Sequence, residues 1–257
     1  MAYVIEAACG CNMGKIRTNN EDNFYFNGHI LQAENNGLMH TMKLNVKLKR
    51  KFCVAVFDGM GGENYGEYAA YSAAKSISTV QNAPSLFTRS IKDYLNNMCM
   101  QINTAVVRNA NDRHTTRMGA TLAMLYFTSH RYYICNLGDS RIYQLRKNKL
   151  TQLSEDHVEK LQLYDRNGNP RKAPLTQHLG IDPNEMVIEP HIANGWIRHG
   201  DQYLLCSDGL TDMLSDEEIL NIMNRPQKTS EHVGCLIEAA LEKGGKDNIT
   251  VILCKII

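Results

Sequence analysis

Acidic residues recur where apolar runs of this chain begin or end. Residues 52–57 lead into Asp58-Gly59, residues 132–137 into Gly138-Asp139-Ser140, and residues 203–206 into Ser207-Asp208-Gly209. Asp247-Asn248 directly precedes the last apolar run, and Glu21-Asp22 precedes Phe24-Tyr25-Phe26. A carboxylate at the end of a core strand is carried on a rigid element and can converge with others. Converging carboxylates repel one another unless a cation neutralises them. Oxygen ligands without His or Cys suit hard ions, Mg²⁺ or Mn²⁺, better than zinc. A glycine after the acid lets the backbone bend. One Asp-Gly by itself reads as a β-turn; a set of acids abutting strongly apolar runs calls for another account.

The elements that must position these acids are mostly strands. Strand-like patterns cover residues 3–8, 24–32, 39–48, 52–57, 121–127, 132–137, 142–145, 203–206 and 249–256. Asn35-Asn36-Gly37 reads as the turn between two of them. Leu44, Val46 and Leu48 alternate with Asn45, Lys47 and Lys49, as on a half-buried strand. Helical patterns cover residues 63–80, rich in Ala and Ser, and 86–110 after Pro84. Ser215 with Glu218 forms a capping-box pattern, and a last helix over 230–243 should stop at Gly244-Gly245. The strands do not alternate with helices as βαβ units would. The expected fold is therefore α+β: a four-layer αββα sandwich of two packed, mainly antiparallel β-sheets flanked by helices. No repeat or Pro/Gly/Ser-rich linker interrupts the chain, so residues 1–257 are expected to form one domain.

Composition narrows the function. Hydrophobic residues make up 43% and charged residues 21% of 257, enough for a sizeable core. Lys plus Arg is 28 against 27 for Asp plus Glu, a net charge of +1, which argues against nucleic acid or an anionic membrane as partner. Apolar runs are too short to span a bilayer and no secretory signal is visible, so a cytoplasmic location is expected. The eight cysteines lack zinc-site spacing and read as reduced, buried thiols. Lys47, Lys49, Arg50 and Lys51 form a basic cluster that reads as a solvated strand face; a docking strip for acidic phosphoproteins is the sharper alternative.

The acid-bearing segments resemble, in order, the motifs of the metal-dependent PP2C-type protein Ser/Thr phosphatase (PPM) family. They are Arg17-Thr18-Asn19-Asn20-Glu21-Asp22-Asn23, Phe57-Asp58-Gly59-Met60-Gly61-Gly62-Glu63 and Gly119-Ala120-Thr121. Gly138-Asp139-Ser140-Arg141-Ile142-Tyr143, Leu205-Cys206-Ser207-Asp208-Gly209-Leu210-Thr211-Asp212 and Gly245-Lys246-Asp247-Asn248-Ile249-Thr250 complete the set. Met60-Gly61-Gly62 after the Asp-Gly is similar to the bacterial branch. The resemblance implies hydrolysis of phosphoserine and phosphothreonine on proteins, by a metal-activated water at a binuclear Mn²⁺ or Mg²⁺ centre, without a covalent intermediate. Asp58 would bridge two ions, Asp208 and Asp247 would complete one shell, and Glu21 with the Gly59 carbonyl would serve the other. Asp139 matches the position of a third, weaker ion, and Asp22 an outer-shell or structural place. Arg17 matches the arginine that holds the substrate phosphate; with Asp58 it would carry catalysis. Phosphoprotein substrates and a cognate Ser/Thr kinase are the implied partners.

The chemistry is coherent on its own terms. Two cations neutralise a phosphomonoester dianion and lower the pKa of a shared water, and a guanidinium can grip two phosphate oxygens. Two departures from the family pattern stand out. Eukaryotic relatives often carry His where Met60 stands, so a leaving-group acid is unassigned and water is the expected one. Residues 28–51 are longer than in minimal members, and the flap, residues 151–180, looks compressed between Asp156-His157 and Leu179-Gly180. His157 is expected to have a structural role in the flap.

Other readings remain open at this point. Cys11 to Arg17, followed by Thr18, has the spacing of a cysteine-dependent phosphatase loop. The turn-then-strand pattern after it does not suit a helix-opening cradle, and nearby acids would raise the thiol pKa. Gly59-Met60-Gly61-Gly62 lacks the Lys-Ser/Thr of a Walker loop. A non-enzymatic member of the fold is the third class, which the full acid set argues against.

Overall fold

The structure, a computed structural model, describes residues 3–49, 51–61, 65–80, 90–161, 163–164 and 170–257. The chain runs through β1 (Val4–Asn12), β2 (Asp22–Phe26), β3 (Met42–Lys47) and β4 (Phe52–Met60) into α1 (Gly66–Val80) and α2 (Ile91–Asp112). Then come β5 (Gly119–Ala120), β6 (Leu122–Phe127), β7 (Arg131–Leu137), β8 (Arg141–Arg146) and β9 (Lys149–Gln152). A short ribbon, β10 (Leu163–Tyr164) with β11 (Pro170–Arg171), precedes β12 (His191–Trp196) and β13 (Gln202–Cys206). α3 (Asp208–Thr211), α4 (Asp216–Met223), α5 (Thr229–Glu242) and β14 (Ile249–Ile256) finish the chain.

Two antiparallel sheets form the centre. One has the order β3-β1-β14-β13-β8-β9; the other has β12-β7-β6-β4-β2, with β5 added to β4. Strands buried on both faces read as continuous apolar runs, which is why β4, β6, β13 and β14 stand out in the sequence. Between the sheets lies a core that includes Phe24, Phe26, Val54, Val56, Ile134, Tyr203 and Ile252. α1 and α2 cover the outer face of the second sheet, where Ala69, Ala70, Ala73 and Ala74 are fully buried. Their small side chains let the helix backbone come close to the sheet at native packing density. α4 and α5 cover the first sheet through Ile219, Ile222, Val233 and Leu236. The expected layered α+β sandwich is present.

The differences from expectation are local. The first strand runs on to Asn12, because Gly10 and Cys11 pair with Val251 and Thr250. The run expected over 24–32 stops at Phe26, where Asn27 and Gly28 take positive φ. Asn35-Asn36-Gly37 does not close a hairpin: β2 and β3 lie in different sheets. Gly37 instead bridges to Asn12, and Asn35 Oδ1 accepts from Asn20 Nδ2 at 2.7 Å and from Gly37 N at 2.9 Å. The helices begin at Gly66 and Ile91; the expected starts, residues 63–64 and 86–89, lie outside the described residues. The Ser215–Glu218 capping box forms, and α5 ends before Gly244-Gly245. Within the basic cluster, Lys47 sits on edge strand β3, where a charge discourages edge pairing. Lys51 lies over the Tyr94 ring at 4.9 Å, and Arg50 is outside the described residues. No helix among the described residues is long and apolar enough to cross a membrane.

Candidate active site

Strand register brings the acids to one end of the sandwich. Asp22 faces Asp58 across β2 and β4. Asn12 faces Ile249 and Cys206 faces Val251, so the ends of β1 and β13 meet the start of β14. The loop carrying Arg17 is therefore laid against Asp247: Gly14 approaches so closely that a Cβ there would stand 2.3 Å from the Asp247 carbonyl oxygen. Asn248 locks the same junction. Its Nδ2 donates to the Met13 and Asn19 carbonyls at 2.8 and 3.0 Å, and its Oδ1 accepts from Glu21 N at 2.8 Å.

Asp58 ends β4. Its N–H donates to Thr121 Oγ1 at 3.0 Å, and its carbonyl accepts from Thr121 N at 2.8 Å. Burial, then Asp22, Asp139 and Asp247, push its carboxyl well above the carboxylate range. Gly59 is enclosed by backbone: a Cβ there would stand 2.1 Å from the Gly66 oxygen and 2.5 Å from the Glu21 oxygen. Glu21 lies at the start of α1 and is raised by burial; Asn19 Nδ2 donates to its Oε1 at 3.3 Å. Arg17 Nη2 meets Asp247 Oδ2 at 2.6 Å, which raises the guanidinium pKa.

Asp22 lies beneath this surface, 1% exposed. Ser207 Oγ and Thr250 Oγ1 both donate to its Oδ2 at 2.7 Å, while its Oδ1 has no partner. Burial dominates, and its pKa is pushed up to about 7. On the other side, Lys172 brings its ammonium to Asp208 and to Asp139 Oδ2 at 3.0 Å, with Asp212 Oδ2 at 3.6 Å. Burial works against that charge, but Asp139 and Asp212 more than offset it, and the lysine pKa is raised. The second oxygen of Asp208, Oδ1, is buried and unpartnered.

Arg17, Glu21, Asp58, Gly59, Asp139, Asp208 and Asp247 thus share one end of the molecule. Among the described residues no three His, Cys, Asp or Glu side chains form a ready-made ion cage; two of the chain's own cations, Arg17 and Lys172, lie among the acids. The donor chemistry fits a hard divalent cation: carboxylate oxygens, one of them a buried orphan on Asp208, with Asp22, Asp139 and Asp247 adding to the burial that raises Asp58. Lys172, Asn248 and the Ser207–Thr250 pair were not singled out by sequence reasoning. A Pro170-Arg171-Lys172 run in the flap was the only available signal for the first.

The cysteine reading fails on geometry. Cys11 lies inside β1, buried, with Asn20 Nδ2 and Thr250 Oγ1 each 3.2 Å from its sulfur. Burial and then Asp22 push its thiol up to about 12, the opposite of an activated nucleophile. His157 is a brace: Gly138 N donates to its Nδ1 at 3.2 Å, and its own N–H donates to the Gly138 carbonyl at 3.0 Å, fixing the turn that carries Asp139. Arg141 holds the flap base through Asp156, with contacts of 2.7 and 2.9 Å.

Known proteins share the family and the fold. The chain is 30% identical over 251 residues to the serine/threonine phosphatase stp of Listeria welshimeri, covering 93% of this chain and 91% of that protein. It is 29% identical over 262 residues to the serine/threonine protein phosphatase PstP of Mycobacterium tuberculosis; the match covers 100% of this chain but 46% of that relative, about half its length. The crystal structure of the catalytic domain of PstP in complex with 2 manganese ions has the same fold, with a TM-score of 0.75 at 27% identity over 99% of both chains. Residues 41–243 match the family described as protein phosphatase 2C. With its acids gathered at one end of a two-sheet sandwich and this match over most of its length, the chain belongs to the protein phosphatase 2C family.

Proposed function

We propose that residues 1–257 act as one phosphatase domain that hydrolyses phosphoserine and phosphothreonine monoesters on proteins, using two Mn²⁺ or Mg²⁺ ions. Asp58 would bridge the ions, Asp208 and Asp247 would complete one shell, and Glu21 with the Gly59 carbonyl would serve the other. Asp139 would contribute to a weaker third ion. Bound there, such ions would supply charge neutralisation for the phosphate dianion and a lowered pKa for a water between them.

The chain's own residues do the rest. Arg17, half-exposed and paired with Asp247, would turn its fork to two phosphate oxygens and align the ester. Asn248 and Thr121 hold the backbone of Glu21 and Asp58 so that the carboxylates keep their spacing. Water would attack phosphorus in line and give up one proton to solvent, the P–O bond to the Ser or Thr oxygen would break, and the leaving alkoxide would take a proton from solvent. Met60 has no proton to give. A cytoplasmic setting and a Ser/Thr kinase that supplies the substrate accompany this reading.

The observation that supports it most is the gathering of Asp58, Asp139, Asp208 and Asp247 with Arg17 at one end of the strands, one Asp208 oxygen buried and unpartnered. The test is hydrolysis of a phosphothreonine peptide with Mn²⁺, with EDTA, and by Cys11→Ser. Activity should need the metal and survive loss of the thiol. Activity in EDTA that Cys11→Ser abolishes would overturn the reading.

A further inference from the structure

We infer that Lys172 is a built-in competitor for the divalent ion at the Asp139–Asp208 end of the acid cluster, and that it ties the flap down when that ion is absent. The inference rests on the metal reading given above and adds a residue to it.

Three carboxylates face one ammonium. Asp139 comes from the turn after β7, Asp208 from the first position of α3, and Asp212 from just beyond its end. Lys172 reaches all three from the segment after β11. It meets them through its ammonium, and the side chain is half-exposed. A contact made only by an ammonium is reversible. A doubly charged ion seated on Asp139 and Asp208 would repel the lysine and take the same oxygen lone pairs, so the two cannot be bound together.

The flap gives this exchange a mechanical consequence. Its base is hydrogen-bonded, with Thr176 N donating to the His157 carbonyl at 2.9 Å and Glu159 N to the Pro174 carbonyl at 3.0 Å. Beyond the base, the described apolar residues Leu161, Leu163 and Tyr164 are exposed. A segment with so little apolar burial is held by its polar tethers. Lys172 lies between the base and the ribbon and is a tether to the acids. Filling the Asp139–Asp208 position releases it.

The test is calorimetric titration of metal-depleted protein with Mn²⁺, using wild type, Lys172→Gln and Lys172→Arg. Linked exclusive binding predicts that Lys172→Gln tightens the ions that Asp139 and Asp208 would hold about tenfold and leaves an ion that touches neither acid unchanged. Lys172→Arg, which keeps the charge, should stay near wild type. Hydrogen exchange across 158–176 is the second readout. It should rise in metal-free Lys172→Gln and, in the wild type, rise as the Asp139–Asp208 position fills. Equal Mn²⁺ affinities in wild type and Lys172→Gln, with ions bound in both, would overturn the inference while sparing the metal reading. Absence of Mn²⁺ binding to the wild type would overturn both.

Discussion

The two ends of β13 carry the same residue type in opposite states. Asp201, just before the strand, is 1% exposed and fully engaged. Arg146 meets it with Nε at 2.7 Å and Nη2 at 2.6 Å, Arg198 N donates at 2.8 Å, and the Tyr203 hydroxyl lies at 3.2 Å. Asp208, just after the strand, shares one lysine with two other acids and leaves a buried oxygen unpartnered. A strand of five residues separates them, roughly 17 Å of the same core. A satisfied buried acid stabilises its own fold and has nothing left for a ligand. A crowded, under-satisfied one is held in place by the rest of the protein and gains most from an added cation.

Substitutions can break this contrast from either side. The largest effect is expected at the acid end: Asp247→Asn should lower phosphopeptide turnover on the order of 10³-fold, the scale of several kcal/mol of lost charge stabilisation. The melting temperature measured in EDTA should hold or rise. A fall in both together would make Asp247 a structural acid.

At the other end, Asp201→Ala should cost about 3 kcal/mol in denaturant unfolding, because Arg146 loses its bidentate acceptor. Turnover per folded molecule should not change. An unaltered unfolding midpoint would mean that the satisfied acid contributes little, and the contrast would lose one of its halves.

A pH titration sharpens it further. Burial raises Asp22 to about 7 in the folded chain from an unfolded value of 3.8. The folded state therefore binds the extra proton, and its contribution to stability is whole below pH 3.8 and lost as pH rises through about 7. In EDTA the stability should fall over that window by at most about 1.4 kcal/mol per pH unit from this group. Asp22→Asn should flatten that slope; an unchanged slope would assign the proton elsewhere.

The smallest effect belongs to an exposed acid with every partner present. Lys243 and the Ser215 cap lower Glu218 from 4.5 to about 2. Its contribution is present above pH 4.5 and lost as pH falls towards 2. Glu218→Gln should give a slight destabilisation at pH 7 that vanishes in acid, read by thermal melts at both pH values.

Much of this was legible in the sequence because it is local. Continuous apolar runs marked β4, β6 and β14, the Ser215–Glu218 spacing marked a helix start, and Gly244-Gly245 marked a helix end. The strand-end acids were visible for the same reason. β1 was expected over residues 3–8; Gly10 is a weak strand former, and pairing with β14 carries the strand past it to Asn12. Asn35-Asn36-Gly37 has hairpin composition, yet its flanking strands join different sheets, a choice that no short window contains. Beyond its Pro170-Arg171 neighbours, nothing near Lys172 in the sequence marks it, since its three acids lie 33 to 40 residues away.

The sequence by itself determined the kinds of oxygen donor available, their places at strand ends and the layered α+β class, because hydrophobic period and residue chemistry are written position by position. Only the tertiary structure decided which acids are satisfied and which are left wanting a cation. Arg17 and Asp247 meet across 230 residues, and Ser207 reaches Asp22 across 185, through strand register and the stacking of two sheets. Register is a collective outcome of every pair in a ladder, so no single segment can announce it.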